Sequence, residues 1–447
     1  MADAMSRRAF LRGGLTVAGA AVAAPALLTA CGTSGSAGAA GVVTLTFWDT
    51  NAGPTRTPYL QELIKRFEHS NPTIKVSYDG LPIDDVDQKL QAAVTSGAGP
   101  DVANGDMSYI AGLVAQGGLV PLDSYLVSWQ QHTDMDPAAV AEVRSLVPNK
   151  ELYGLPFSNN LDVLYYRKDW FAQKGLNPPT NWADFYKAAA ALTNPAQSRY
   201  GFGLRGGSGS VQVLQSWIFA ESGITSFFDS GGKSTFDDPA SVAAIGRAAG
   251  MYGKYTSTGD LNQDYQQMVA EFDAGHAAMI FHSLGSYNQH LQALGAHAFG
   301  ALPMPATSAG RHVLVGGRYE LMQVFKDSAH PAEAFKFAAY IASPAAVSYW
   351  NQEIGQIPPN EAVYGAKWVK DNFAIEALLA TTAEKTTFVI TPPFYLPSYD
   401  SLQTEMEPAF QQVLLGKQST ASFATTMAGN YTTARQQYEA AVKKGTS

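Results

Sequence analysis

Residues 42–49 read VVTLTFWD, with β-branched and aromatic side chains alternating at the two-residue period of a half-buried strand. NAGPTRTP follows as a turn-rich loop, and from Thr57 the period changes. Leu60, Leu63, Ile64 and Phe67 fall on one face at helical spacing, with Thr57 placed to cap, Pro58 in the first turn and Asn71-Pro72 as the stop. Residues 74–78 return to a strand pattern, Asp84 is placed to open a helix through Val86, Leu90 and Val94, and Pro100-Asp101-Val102 opens a third strand. Strands alternating with helices predict a mostly parallel sheet flanked by helices, with a ligand site beyond the carboxyl ends of its strands.

A second set begins near Tyr153. Residues 155–157 and 163–166 read as strands, and NPPTNWADFYKAAAALT supplies a helix capped near Thr180 or Asn181. MVAEFDAGHAAMIFHSLGSYNQHL predicts a helix, a turn at Gly275, a strand over 278–281 and another helix; FGALPMP and GGRYELMQVF follow as strands and HPAEAFKFAAYIAS as a helix. At 447 residues and 46% hydrophobic content the chain is long enough for two domains.

The first 41 residues stand apart. Arg7, Arg8 and Arg12 precede an Ala-rich apolar stretch and then Leu28-Thr29-Ala30-Cys31, an order that predicts a secretory signal peptide over 1–30. The apolar part is too short and Gly-rich for a stable spanning helix. Ser6-Arg7-Arg8-Ala9-Phe10-Leu11 resembles a twin-arginine export signal, and residues 28–31 resemble a lipoprotein box. Cys31 is the one cysteine in the chain, so it has no disulfide partner and is expected to carry the lipid anchor. GTSGSAGAAG then makes residues 31–41 a flexible tether. Residues 1–30 hold three Arg and one Asp, so without them the formal charge moves from −8 to −10. That acidity argues against a nucleic-acid partner, whose phosphates need a basic footprint.

Enzyme motifs do not assemble. Gly201-Phe202-Gly203-Leu204-Arg205-Gly206 matches GxGxxG, but Arg199-Tyr200 is a poor strand, GGSGS follows where a helix is needed, and Glu221 stands in the wrong context for a ribose-binding acid. Asp84, Asp85 and Asp87 suit a solvated helix start. There is no HExxH, no GxSxG and no cysteine set for zinc. No catalytic residue, metal or cofactor is expected, and the competing class, a surface-attached glycan hydrolase or lyase, finds no support in a motif.

Six segments in order carry a resemblance: SGAGPDVANGD (96–106), YIAGLVAQGGLVPLD (109–123), YGLPFSNNLDVLYYRKD (153–169), FDAGHAAMIFH (272–282), VGGRYELMQV (315–324) and SYWNQEIGQIPPN (348–360). Together they resemble the extracellular solute-binding proteins that deliver sugars and related polar solutes to ABC importers. The resemblance implies an α/β fold of two lobes, each a mostly parallel sheet flanked by helices, joined by hinge strands. Crossings are expected near 155–157 and 301–305, giving lobe 1 as 42–155 with about 302–345 and lobe 2 as 156–301 with about 346–447. It also implies a monomer held to the outer face of the membrane through Cys31, with a small polar solute and the permease subunits of an ABC transporter as partners.

A sugar offers apolar faces rimmed by hydroxyls, so its site wants aromatic surfaces and side chains that both donate and accept. Loops at the expected strand ends supply them: Trp48, Asp49 and Asn51; Asp106 and Tyr109; Asn159 and Asn160; His282, Ser283 and Tyr287; Gly317, Arg318 and Tyr319; then Gln356 and Tyr395. The resemblance brings the Gly316-Gly317 backbone to the ligand, while Asp101 fits a structural cap. Leu284-Gly285 stands where the maltodextrin pattern has a Pro-Trp pair, which argues against large linear glucans. Arg318 sets two readings side by side. With Glu320, Asp106 or Asp49 as its partner the ligand is a neutral or amino sugar; left free, with Arg56 nearby, it suits a phosphorylated solute such as a glycerophosphodiester.

Overall fold

The computed structural model describes residues 41–81 and 86–444; the expected signal peptide, Cys31 and the Asp84 cap lie outside them, as does the side chain of Asp87. Ten strands among the described residues are β1 (Val43–Asp49), β2 (Ile74–Gly80), β3 (Val102–Asp106), β4 (Leu155–Asn160), β5 (Asp162–Arg167), β6 (Met279–Ser283), β7 (Phe299–Pro303), β8 (His312–Val315), β9 (Arg318–Val324) and β10 (Thr387–Ile390). They form a five-stranded sheet ordered β2-β1-β3-β9-β4, a three-stranded sheet ordered β6-β5-β7, and a β10-β8 ribbon.

Each larger sheet has one reversed strand in its interior. β9 is antiparallel to β3 and β4, and β5 is antiparallel to β6 and β7. The remaining strands of each sheet therefore point one way, and Tyr200 and Gly203 extend the second sheet by parallel bridges to Ala277 and Ile280. The expected parallel character thus holds for strand direction, while within these two sheets only β1–β2 and β1–β3 pair in parallel. The reason is topological: β5 and β9 are each entered from the other lobe and run back against their new neighbours.

The first sheet buries Phe47 against Phe337 at 5.2 Å, and Phe337 meets Phe67 of the helix Thr57–Ser70 at 5.0 Å. Thr57 is the first residue of that helix and not its cap; Arg56 holds the cap position, and Thr57 Oγ1 accepts from the Gly53 amide at 3.0 Å. The second sheet packs Phe281 among Trp182, Phe185, Phe202 and Trp217, with ring centroids 5.0–5.7 Å from it. Asn181 caps the helix Trp182–Leu192 by accepting from the Asp184 amide at 3.0 Å.

One residue, Leu161, separates β4 in the first sheet from β5 in the second. The return passes from β7 through β8 to β9. The helices Pro331–Ile341 and Pro344–Ile354 both pack on the first sheet, Trp350 lying 5.8 Å from Phe157 and Ile357 bridging to Asn159. The boundaries expected at 155/156 and about 345/346 therefore fall inside elements of the first sheet's lobe, because the chain stays on that sheet to the end of β4 and beyond Ile354. The C-terminal helix Thr420–Lys444 closes on the second lobe, with Tyr431 5.0 Å from Phe236.

The Gly201–Gly206 stretch has more regular surroundings than the sequence suggests. Isolated parallel bridges fall at Tyr200 just before it and at Gly203 within it, and the helix Ser210–Ser222 follows after GGSG. The dinucleotide reading still fails, because Glu221 is bound to Arg247, Tyr186 and Trp217. Gly201 is required by packing: a β-carbon there would collide with the Ala189 backbone of the neighbouring helix. Gly201→Ala should accordingly destabilise by about 1–3 kcal/mol, read as a lowered urea midpoint; an unchanged midpoint would show that this approach is loose.

Candidate functional site

The carboxyl ends of β1, β3 and β4 meet the amino end of β9 at one edge of the first sheet. Register sets Asp106 opposite Glu320, Ser158 opposite Glu320, and Asn160 opposite Arg318. Side chains alternate along a strand, so Arg318, Glu320, Asp106, Ser158 and Asn160 share a face, while Tyr319 and Asn159 lie on the other.

One acid at this edge, Asp49, and one at the opposite, amino end of β3, Asp101, are structural. Asp49, 1% exposed, accepts from Tyr78 Oη at 2.8 Å, Asn104 Nδ2 at 2.9 Å and the Asn51 amide at 3.2 Å. It ties β1 to β2 and β3, and a buried carboxylate so bonded has little left for a ligand. Asn51 is half-buried beside it. Asp101 accepts from Thr46 and Ser328, as a structural cap should.

Arg56 and Arg318 are separated in role. Arg56 pairs with Glu320 at 2.6 Å and lies 4.8 Å over the Trp350 ring, so it is held within the first lobe. Glu320 is thereby withdrawn from Arg318. Arg318 sits 5.9 Å over Phe394. Burial opposes its charge, but Tyr399, Asp106, Asp162 and Asp400 outweigh burial and hold the guanidinium protonated more firmly than usual. Its partners come from both sheets and from the helix Tyr399–Thr404. Asp106 also accepts from the Ser108 amide at 3.0 Å, at the start of the helix Ser108–Ala115.

From the second lobe, His282 at the end of β6 stacks on Tyr265 at 5.7 Å. Burial, then the Arg205 charge, then His290 push its pKa well below the ordinary value, so the imidazole is neutral. Burial holds Arg205 itself below the ordinary guanidinium range, and the nearby Asp162 and Glu407 counter it only in part. Ser283 follows His282, and Asp162 accepts from Ser216 Oγ at 2.7 Å. Gln356, 1% exposed, contacts Ser158 Oγ through Oε1, and that hydroxyl also lies 2.6 Å from Asn351 Oδ1. Asn159 Oδ1 and Asn160 Oδ1 are buried without a partner.

Other expected positions lie elsewhere. Tyr287 is core, 5% exposed and edge-on to Phe373 at 5.0 Å. Tyr395 packs on Tyr438 of the C-terminal helix at 5.0 Å. Tyr319 is 7% exposed on the opposite face from Arg318, and Gly317, with φ +72°, makes room for the Glu142 carboxylate. Trp48 is half-buried on the face away from Phe47, and Tyr109 is half-buried against Gly105. Asp162, after the first crossing, and Tyr399, in the aromatic run with Phe394 and Tyr395, are expected at the cleft from sequence, whereas two residues near Arg318, Arg205 and Asp400, were not among the expected ones. Arg205 carried a signal, a lone cation in a glycine-rich loop.

Among the described residues no group of three or more His, Cys, Asp or Glu side chains is placed to hold a metal ion. A surface depression of about 450 Å³ lies apart from this edge, lined by Lys233, Asp237, Thr425, Thr432 and Gln436 among others.

Two lobes joined by direct strand crossings, with polar side chains of both gathered at the crossing, define a two-lobe solute-binding protein. The sequence profile described as "Bacterial extracellular solute-binding protein" matches residues 53–348, more than half of the chain, which belongs to that family. A putative binding protein of Brucella abortus is 24% identical over 80% of this chain and 85% of its own. The sn-glycerol-3-phosphate-binding periplasmic protein UgpB of Escherichia coli is 25% identical over 73% and 77%. Among solved structures, the GacH receptor of Streptomyces glaucescens, described unliganded and in complex with acarbose, superposes with a TM-score of 0.77 at 22% identity, over 89% of this chain and 99% of that one.

The loop carrying Arg205 is pinned by Asp260, which accepts from the Leu204 amide at 2.9 Å. Burial pushes that carboxyl up from 3.8 to about 7. The folded protein keeps a proton that the unfolded chain releases, so this stabilisation is full below about pH 4 and is lost as pH rises to about 7, by about 1.4 kcal/mol per unit. Asp260→Asn should remove that fall, seen as a flatter urea midpoint between pH 4 and 8; parallel profiles for the two proteins would refute it.

Proposed function

We propose that the protein is a membrane-anchored extracytoplasmic receptor that captures a carbohydrate, a mono- to oligosaccharide or amino sugar, and delivers it to an ABC transporter. The carrying observation is the polar end of the first sheet at the crossing, where register sets Asp106 opposite Glu320 and Asn160 opposite Arg318, and where Asn160, Ser283 and Gln356 gather around Gly285. These groups donate and accept in the mixed pattern that hydroxyls need. The acarbose complex of the GacH receptor supports the ligand class. In this reading lobe 1 comprises residues 42–160 with 318–360, lobe 2 most of the rest, and ligand contacts to both favour the closed form.

A second reading is a phosphorylated solute, favoured by the name of the Escherichia coli relative and by the presence of Arg318. Against it, Arg56 is paired with Glu320 and Arg318 faces three carboxylates, a field that repels an anion. The anchor rests on Leu28-Thr29-Ala30-Cys31 behind paired arginines, and family membership supports an extracytoplasmic place.

Thermal-shift screening should give stabilisation by neutral or amino sugars that persists at high salt, since screening weakens charge attraction more than hydrogen bonding. Asn160→Ala should then reduce affinity by roughly 1–3 kcal/mol with little change in the unliganded midpoint. Stabilisation by phosphorylated solutes alone, abolished in Arg318→Met, would replace this reading with the second. Cys31→Ser should release the folded protein from membranes, because the acyl chain is its hold on the bilayer; a variant that stays membrane-bound after a salt wash would remove the lipoprotein assignment.

A further inference from the structure

Gly285 is exposed in the turn Leu284–Ser286 that follows β6. A β-carbon at this position would lie 3.2 Å from Gln356 Nε2, 3.5 Å from Ser283 Oγ and 3.9 Å from Asn160 Nδ2. Three polar groups from three separate stretches thus face one point. Asn160 ends β4 of the first sheet, Ser283 ends β6 of the second, and Gln356 follows the helix Pro344–Ile354 on the first lobe. Gln356 is held in place, since its Oε1 is engaged by Ser158 and its Nε2 is left to face the notch. Asn160 Oδ1, on the same amide as one of the three groups, is buried without a partner.

The notch therefore offers two amide N–H donors and a hydroxyl that donates or accepts. A hydroxyl is the small group that answers both kinds at once. The three lining groups carry no charge, and Arg318, opposite Asn160 on β9, already faces Asp106, Asp162 and Asp400. A phosphate gains no cation here. An aromatic face gains no stacking partner among these three groups.

We propose that Gly285 is a specificity-determining residue of the cleft: the notch over its α-carbon seats one hydroxyl-bearing edge of a polyhydroxylated solute, held by Asn160, Ser283 and Gln356. This rests on reading the cleft as a carbohydrate site. Because the three groups belong to both lobes, a hydroxyl in the notch is held by both. A methyl at 285 occupies the space at ordinary or slightly tight contact distances, and a branched side chain overfills it. The methyl should leave the empty fold standing with a small shift of the Gln356 amide, since Gly285 is exposed and its φ is not positive.

The test uses the full chain, with calorimetric titration of alditols, neutral mono- to trisaccharides and sn-glycerol 3-phosphate. For the sugars or alditols that bind the parent, Gly285→Ala should weaken binding roughly tenfold with unliganded melting unchanged, and Gly285→Val should abolish binding. Gln356→Glu keeps the shape, removes the Nε2 donor without touching residue 285, and should lose a similar factor. Parent-like affinity in the Gly285 variants overturns the notch and leaves the carbohydrate reading standing. No binding of any sugar or alditol to the parent overturns that reading, and the notch with it.

Discussion

The passage from β4 to β5 through Leu161 alone is the constraint on which the rest of the molecule hangs. A strand of one sheet becomes a strand of the other with no slack between them. Leu161 is 5% exposed and its carbonyl accepts from the Leu284 amide at 3.0 Å, so the crossing is pinned to the turn beyond β6. Asn160 and Asp162, immediately either side, are thereby fixed at the junction. Three polar groups of the candidate site are placed relative to this crossing: Arg318 by register with Asn160, Ser283 by register with Asp162, and Gln356 through the bridge between Ile357 and Asn159.

Electrostatics at the junction follow from that geometry. Three guanidiniums, from Arg56, Arg205 and Arg318, lie near carboxylates that outnumber them, and the Arg56 pairing with Glu320 stays within one lobe while the Arg318 field spans both. Removing one partner of such a set leaves a buried charge uncompensated, which is costlier than the pair is favourable. The arrangement supports a fixed polar surface more than an anion receptor, and neutral His282, stacked on Tyr265, belongs to the same surface.

Much of the fold was legible because its signals are local. Alternation in VVTLTFWD, the helical spacing of Leu60, Leu63, Ile64 and Phe67, and Asn181 before its helix all reappear as elements. Of the candidate site, what was legible is the position of strand ends, as at Asp106, Asn160, His282 and Arg318. Tyr287 and Tyr395 look like cleft aromatics in sequence, but what decides them is which helix packs nearby, and that is a long-range fact. Arg56 is the reverse case: its pairing with Glu320 joins residues 264 positions apart, and no local pattern announces it. The β10-β8 ribbon and the helices after Asn372 went unread for the same reason, since their apolar faces are completed by distant partners.

The interior position of β9 has a consequence for the order in which the molecule can assemble. β3 and β4 share no ladder of their own; each pairs with β9, which begins at Arg318. Until that residue is available, the early part of the chain holds two strands with unpaired edges in what will become a single sheet, a configuration prone to association with other chains. The pairing that closes it is long-range in sequence and therefore slow to find. The first lobe cannot be completed as the chain emerges from the ribosome and must wait for roughly its last third, so its N-terminal half is the stretch most in need of protection during synthesis.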